Sequence, residues 1–213
     1  SRFDDPARAT RRMAAGVQRR QEVEIPRPIR PRDSDTSGQS KGQASATQRG
    51  PATSDPMEEI ANAKETVRAA CGVVPRVLVV GASVLHALSK HDALRGALSA
   101  NERKTLLSQE QIRHLLDVDE IIVGAAVSTP DGKKQTADIW GKFASLIVRP
   151  GVASEGNDEG MPSFGYTFRR HGMPVVDRFE AVGGKVEYAR YTDIRKAAVV
   201  GSMCGFLFEK AIA

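Results

Sequence analysis

The chain has 213 residues, 40% of them apolar, which is enough to build one moderate core. Its 31 Lys and Arg exceed its 26 Asp and Glu by only 5, a weak hint of contact with phosphate or with an acidic partner. Two cysteines cannot form a disulfide framework, and the sequence has no apolar run of about 18 residues to span a bilayer. We therefore expect a soluble intracellular protein in which Cys71 and Cys204 are buried thiols.

Most of the positive surplus lies in residues 1–56, which hold 11 Lys and Arg against 7 Asp and Glu. Good helix formers predict a solvated or partner-dependent helix over 5–24, and three prolines between 26 and 31 favour an extended path. Residues 33–53 have the composition of a linker or disordered loop. The arginines could contact nucleic acid or a neighbouring subunit, or belong to a solvated arm, since aromatic residues that stack on bases are scarce there. These candidate contact residues are Arg11, Arg12, Arg19, Arg20, Arg27, Arg30 and Arg32.

Clear order begins at residues 54–56, where a side-chain oxygen followed by proline can cap a helix. Met57, Ile60 and Val67 recur at helical spacing and predict a helix over 57–71, which Gly72 ends. The unbroken apolar run at 75–81 predicts a strand that is covered on both faces.

Two more helical pieces and a second strand follow. Ser83 is predicted to cap a short helix, and residues 93–98 form a further turn or two. Ser108 and Gln111 have capping-box spacing ahead of the next helix, which leads into an apolar strand over 120–127.

The remainder of the chain is predicted to be rich in strands. It contains a turn at 130–132, a strand within 139–148, a mobile acidic loop at 154–160 and a strand over 164–168. Gly183 and Gly184 separate two strands, 175–180 and 185–191, in a predicted hairpin. Residues 197–208 are apolar enough to form one buried closing strand.

A search for catalytic chemistry finds no nucleophile, base and orienting acid in a recognisable set, so we predict neither an enzyme nor a cofactor or metal site. The strand that ends at Gly81 faintly resembles a dinucleotide-binding turn, but the later glycines of that pattern are absent and an ordinary strand-to-helix turn is favoured. The acidic residues Asp117, Asp119 and Glu120 are interpreted as a solvated turn rather than a cation site.

The order of these elements resembles the bacteriophage major capsid proteins of the Hong Kong 97 fold. The resemblance rests on the helix 57–71, the run 73–81, the segment Leu115–Gly124 and the later segments 138–141, 162–168 and 188–208. It implies an α+β fold with a basic flexible arm at 1–53. A peripheral domain would comprise a spine helix and a sheet from residues 54–74 and 185–213, and an axial domain would comprise residues 75–184. The long extended hairpin that usually precedes the spine helix has no counterpart in residues 1–54.

The resemblance also implies a function. The chain would self-assemble through hexamers and pentamers into an icosahedral virion shell, with double-stranded DNA on its inner face and no membrane. Assembly would take place in the bacterial host cytoplasm, with portal, scaffold or decoration proteins as further partners. An encapsulin-like compartment shell shares the implied fold and stays open, as does a small basic nucleic-acid-binding α/β protein.

Overall fold

A computed structural model describes residues 11–18, 20, 55–98, 105–129, 135–149, 162–180, 183–184, 187–208 and 211. The chain forms two compact units: a larger unit, Ile29–Gly165 with Val199–Ala213, and a smaller unit, Ser1–Pro28 with Tyr166–Ala198. The predicted proline-rich path, the linker, the turn at 130–132 and the acidic loop at 154–160 lie outside the described residues. The assignment of peripheral and axial domains stays a prediction.

The larger unit begins with helix α1, Pro56–Cys71, as the sequence predicts. The Asp55 carboxylate accepts a hydrogen bond from the Met57 amide at 3.0 Å, which satisfies one of the free amides of the first turn. Gly72 ends the helix in the left-handed conformation, and its amide donates to the Arg68 carbonyl. The stripe Ile60, Ala63 and Val67 is buried, so the helix is held by packing along one face.

A four-stranded sheet crosses the larger unit. Its strands are β1 (Val77–Gly81), β2 (Glu120–Gly124), β5 (Ala144–Ile147) and β10 (Gly205–Phe208), and their order in the sheet is β10-β5-β1-β2. β1 and β2 are parallel, and the other pairs are antiparallel. All five residues of β1 are buried, which confirms the predicted two-sided strand.

The strand predicted over 120–127 is shorter than expected. β2 ends at Gly124, and the chain then enters a separate small ribbon of β3 (Val127–Ser128) and β4 (Ala137–Asp138). The physical reason is the close approach of the Trp140 ring to Gly124, which is described below. The parallel pairing with β1 stops at the same residue.

Three helices complete the larger unit: α2 (Ala82–Lys90), α3 (Asp92–Gly96) and α4 (Gln109–Leu115). α2 starts one residue before the predicted cap, so the prediction for Ser83 is wrong: its hydroxyl donates to the Gly141 carbonyl at 3.2 Å instead. The capping box of α4 is confirmed, with the Ser108 hydroxyl accepting from the Gln111 amide and the Gln111 side chain accepting from the Ser108 amide.

The described strands of the smaller unit form two separate two-stranded sheets rather than one wide sheet. β7 (Val175–Glu180) pairs with β8 (Glu187–Thr192) in the predicted hairpin, and β6 (Gly165–Arg169) neighbours β9 (Arg195–Val199). Residues 11–18 and 20 are helical, which agrees with the helix predicted over 5–24 for the part that is described.

The single closing strand predicted over 197–208 is wrong. β9 ends at Val199, a short 3₁₀ turn follows at Ser202–Cys204, and β10 begins at Gly205. Gly201 packs so tightly that a Cβ atom there would lie 2.5 Å from the Ser163 carbonyl oxygen, and the Cys204 amide closes the turn by donating to the Gly201 carbonyl. The sequence does mark this break, since Gly201, Ser202 and Gly205 interrupt the apolar run, but the prediction gave more weight to hydrophobicity than to these turn residues.

The core of the larger unit lies between the sheet and the helices. Its fully buried side chains include Val67, Leu78, Val80, Val84, Leu94, Ile112 and Leu146. Of the two thiols predicted to be buried, Cys204 is buried but Cys71 is half-buried, since it is the last residue of α1. No helix among the described residues is long and apolar enough to cross a membrane.

Candidate interaction surface

The edge of the sheet where a dinucleotide would bind is filled by the protein itself. Gly81 and Gly124 are paired at the carboxyl ends of the parallel strands β1 and β2. A Cβ atom at Gly124 would lie 2.2 Å from the Trp140 ring, and one at Gly81 would lie 2.4 Å from the Gly141 carbonyl oxygen. These glycines therefore admit a tryptophan and a backbone segment, whereas a nucleotide site needs an open crevice at this edge.

The acidic turn before β2 is neutralised by basic side chains. Asp117 lies 3.0 Å from the Lys64 ammonium and 3.3 Å from the Arg76 guanidinium. Asp119 is also within ion-pair distance of Arg76, and Glu120 contacts Arg149. Within the described ranges no group of three or more side chains is placed to hold a metal ion.

Lys64 links helix α1 to the residues that directly follow α4. Its ammonium donates to the Leu116 carbonyl at 2.9 Å as well as to the Asp117 carboxylate, and its side chain is only 11% exposed. This hydrogen bond is the main reason that the pKa of Asp117 is lowered. These contacts connect two helical segments of the larger unit, and we interpret the cluster as structural.

The two units differ sharply in charge. The smaller unit contains 14 Lys and Arg against 8 Asp and Glu, while the larger unit contains 17 against 18. The whole positive surplus of the chain thus belongs to the smaller unit. A surface of this sign attracts polyanions or acidic protein surfaces.

Three of the seven predicted contact arginines lie in the helical residues 11–18 and 20. Arg11, Arg12 and Arg20 are exposed, and Arg20 lines an open groove in which Met13 and Val17 face the hairpin. The other four, Arg19, Arg27, Arg30 and Arg32, lie outside the described residues. The groove brings the helix together with hairpin residues that sequence reasoning did not single out as contact residues: Phe179, Tyr188, Ala189, Arg190 and Tyr191.

The hairpin carries an exposed aromatic pair at its centre. Phe179 and Tyr188 are directly opposite in the β7–β8 register, and their rings stack with centroids 5.4 Å apart, although each residue is about half exposed. The Arg190 guanidinium lies 6.0 Å from the centroid of the Phe179 ring, within cation–π range. The sequence could have indicated this pair, because Phe179 lies four residues before Gly183 and Tyr188 lies four residues after Gly184, which places them opposite each other in the predicted hairpin.

A second aromatic pair, Tyr166 and Phe168, is also exposed, on β6. None of the described residues of the smaller unit is buried as a whole residue. Two-stranded ribbons are marginal unless an apolar face is covered. The described part of the smaller unit therefore presents exposed aromatic surface of the kind that is found at interaction sites.

The Asp193 side chain of the smaller unit is almost completely buried, with 1% of it exposed. One oxygen lies 3.4 Å from the Nε atom of Arg169, and the other lies 3.2 Å from the Nε atom of Arg195. Neither oxygen accepts a hydrogen bond from a described residue, and neither does the Arg195 Nε donate one. This cluster was not predicted, since only the fold brings Arg169 to Asp193 and Arg195.

Comparison with known proteins gives two informative similarities, although no protein-family model matches the chain. A protein named Major capsid protein from Burkholderia phage BcepMu is 34% identical over 178 residues, which cover 81% of this chain and 56% of that protein. The crystal structure of a phage-related protein from Bordetella bronchiseptica RB50 has a TM-score of 0.65 and 28% identity, and the match covers 76% of this chain and 51% of that one. The chain spans just over half the length of each.

Proposed function

We infer that this chain, a relative of phage major capsid proteins, is the structural subunit of a phage head. The relative named Major capsid protein supports this assignment through its 34% identity. The observation that carries the proposal is the smaller unit, whose described residues include two exposed aromatic pairs and no fully buried residue. Such a unit has little stability of its own and gains it when copies of the chain cover its apolar faces.

In this proposal the larger unit is the rigid frame. Its sheet and α1 share a packed core, which keeps the surface of this unit itself in a fixed shape. The fold would be of the Hong Kong 97 type, with residues 54–74 and 185–213 as the peripheral domain and 75–184 as the axial domain. Copies would assemble as hexamers and pentamers, in which several neighbours share a large interface, commonly above about 2,000 Å² for permanent contacts.

Double-stranded DNA would be the molecule enclosed, and the shell would belong to the virion after assembly in the bacterial cytoplasm. The positive smaller unit and the exposed Arg11, Arg12 and Arg20 support a contact with DNA or with a neighbouring subunit. Portal, scaffold and decoration proteins would be further partners. The name of the phage relative favours a phage head over an encapsulin-like compartment, and the role would be structural rather than enzymatic.

The test is electron microscopy and light scattering of the purified full chain under assembly conditions. We expect large closed particles from the wild type and far fewer from Tyr188→Ser, which removes half of the exposed aromatic pair. Tyr188→Phe is the matched control, since it keeps the stacked ring, and it should assemble normally. A chain that stays a folded monomer under all conditions, or an equal particle yield from Tyr188→Ser, would contradict the proposal.

A further inference from the structure

The cluster of Arg169, Asp193 and Arg195 has the geometry of an anion clamp. Both guanidinium groups approach the buried Asp193 carboxylate with their Nε atoms, at 3.4 and 3.2 Å. The Nη atoms are the remaining donors of each guanidinium, and the side chains of Arg169 and Arg195 are 44% and 24% exposed. One carboxylate thus holds two arginines side by side while part of each stays in solvent.

The cluster is incompletely satisfied as it stands. Both Asp193 oxygens and the Arg195 Nε atom are buried without a hydrogen-bond partner among the described residues. Phosphate oxygens are hydrogen-bond acceptors, as the Asp193 oxygens are, so a bound phosphate would be held by the donors of the two arginines and not by Asp193. The neighbours in sequence, Arg170 and Lys196, are exposed and add two more positive charges. The local charge is therefore positive even after Asp193 is counted.

We propose that Arg169 and Arg195 form a clamp for a phosphate group of the nucleic acid backbone, with Asp193 as the residue that positions them. Paired guanidinium groups match the oxygens of a phosphate and bind it through parallel, charge-assisted hydrogen bonds. The identity of the nucleic acid as DNA rests on the proposed function, but the clamp itself does not. A carboxylate of a second copy is the rival ligand.

Charge favours phosphate over that rival. The larger unit, which would supply the acidic partner surface from a second copy, has almost no net charge, with 17 Lys and Arg against 18 Asp and Glu. A nucleic acid presents a dense row of phosphates, which matches a unit with 14 basic and 8 acidic residues.

The first test compares two aspartate variants in binding to a fluorescein-labelled DNA duplex, followed by anisotropy with unassembled full chain. Asp193→Asn raises the net charge by one, so a purely electrostatic attraction predicts tighter binding, whereas the clamp predicts weaker binding because the arginines lose their anchor. Asp177→Asn is the matched control: it makes the same charge change beside Arg190 on the hairpin and should bind equally or more tightly. Tighter binding by Asp193→Asn would overturn the proposal.

The second test counts phosphate contacts through salt dependence. Removing both clamp arginines in Arg169→Gln/Arg195→Gln should lower the slope of log affinity against log salt by about 0.9, since the two arginines together neutralise one phosphate. The control Arg68→Gln/Arg113→Gln removes two arginines paired with glutamates on the helices of the larger unit, and its slope should not change. An unchanged slope in the clamp variant would refute the assignment.

A third measurement uses only the wild-type chain, so it does not depend on the folding of any variant. Phenylglyoxal modifies accessible arginines, and mass spectrometry locates the products. We expect the DNA duplex to protect Arg169 and Arg195 but not Arg68. Protection that arises on particle formation without DNA would instead assign the clamp to a second copy and overturn the phosphate proposal. Because light scattering reports particles separately, a failed clamp and a failed shell assembly are distinguishable.

Discussion

The contact between Gly124 and Trp140 gives a sharp prediction for the substitution Gly124→Ala. The new methyl group would lie 2.2, 2.2 and 2.3 Å from three atoms of the indole ring, whereas carbon atoms pack at about 3.5 Å or more. The ring must therefore move by more than about 1 Å. It has little room to do so, since Trp140 is 7% exposed and packs near Phe143, with ring centroids 6.0 Å apart.

Overpacking of this kind costs about 1–3 kcal/mol. For a chain of this size each kcal/mol corresponds to about 2–4 °C, so Tm should fall by about 2–12 °C in calorimetry. Trp140 is the only tryptophan of the chain, so its fluorescence reports on this contact alone, and the emission should shift to longer wavelength as the ring is displaced toward water.

Gly96→Ala is the matched control, because a Cβ atom at Gly96 meets nothing within 4 Å and the residue ends helix α3. Its Tm should stay the same or rise slightly. The double variant Gly124→Ala/Trp140→Ala should lose less stability than the sum of the two single variants, because the new methyl group no longer meets an indole ring. A Gly124→Ala protein with wild-type Tm and emission would show that the ring does not rest on this glycine.

Three other predictions concern the larger unit. Leu78→Asp places a charge in the buried strand β1 and should prevent soluble folding at a cost of several kcal/mol, while Leu106→Asp at an exposed position should not; expression and circular dichroism decide this. The Lys64 hydrogen bond holds the pKa of Asp117 below its ordinary value, so the pair stabilises the fold at neutral pH and loses its effect as the pH falls through the lowered folded pKa. Urea unfolding of Asp117→Asn should then show a loss of about 0.2–1 kcal/mol at pH 7 that shrinks in acid, and a constant loss would refute the pairing. Burial raises the pKa of the Cys204 thiol to about 11, so iodoacetamide at pH 8 should label it far more slowly in the native chain than in urea, and equal rates would contradict its burial.

The sequence predicts those elements whose signals are local. The cap at Asp55, the stop at Gly72 and the capping box of Ser108 and Gln111 each involve residues within four positions of one another, and all three are confirmed. The two-sided strand β1 and the hairpin β7–β8 are confirmed for the same reason. Periodicity and turn residues are sufficient when the partners are neighbours along the chain.

The errors arise where a distant residue decides the local structure. β2 stops at Gly124 because of Trp140, and the closing segment turns at Gly201 because the backbone of Ser163 lies against it. The Ser83 hydroxyl bonds to Gly141 rather than capping its own helix. None of these contacts leaves a periodic trace in the sequence, since each joins segments that are far apart along the chain.

The candidate interaction surface was also predictable only where its sequence signals are local. The exposed arginines of residues 11–20 are visible in the sequence as a charge surplus, but the hairpin groove beside them and the Asp193 cluster exist only after folding. The consequence for function lies in the energetics of the smaller unit. In the proposed shell, the smaller unit would offset part of the entropy of its own ordering with contacts to other copies of the chain, so its order and its binding would be coupled. Such coupling would keep each contact weak until many are made together, which would let misplaced subunits leave before the proposed shell closes.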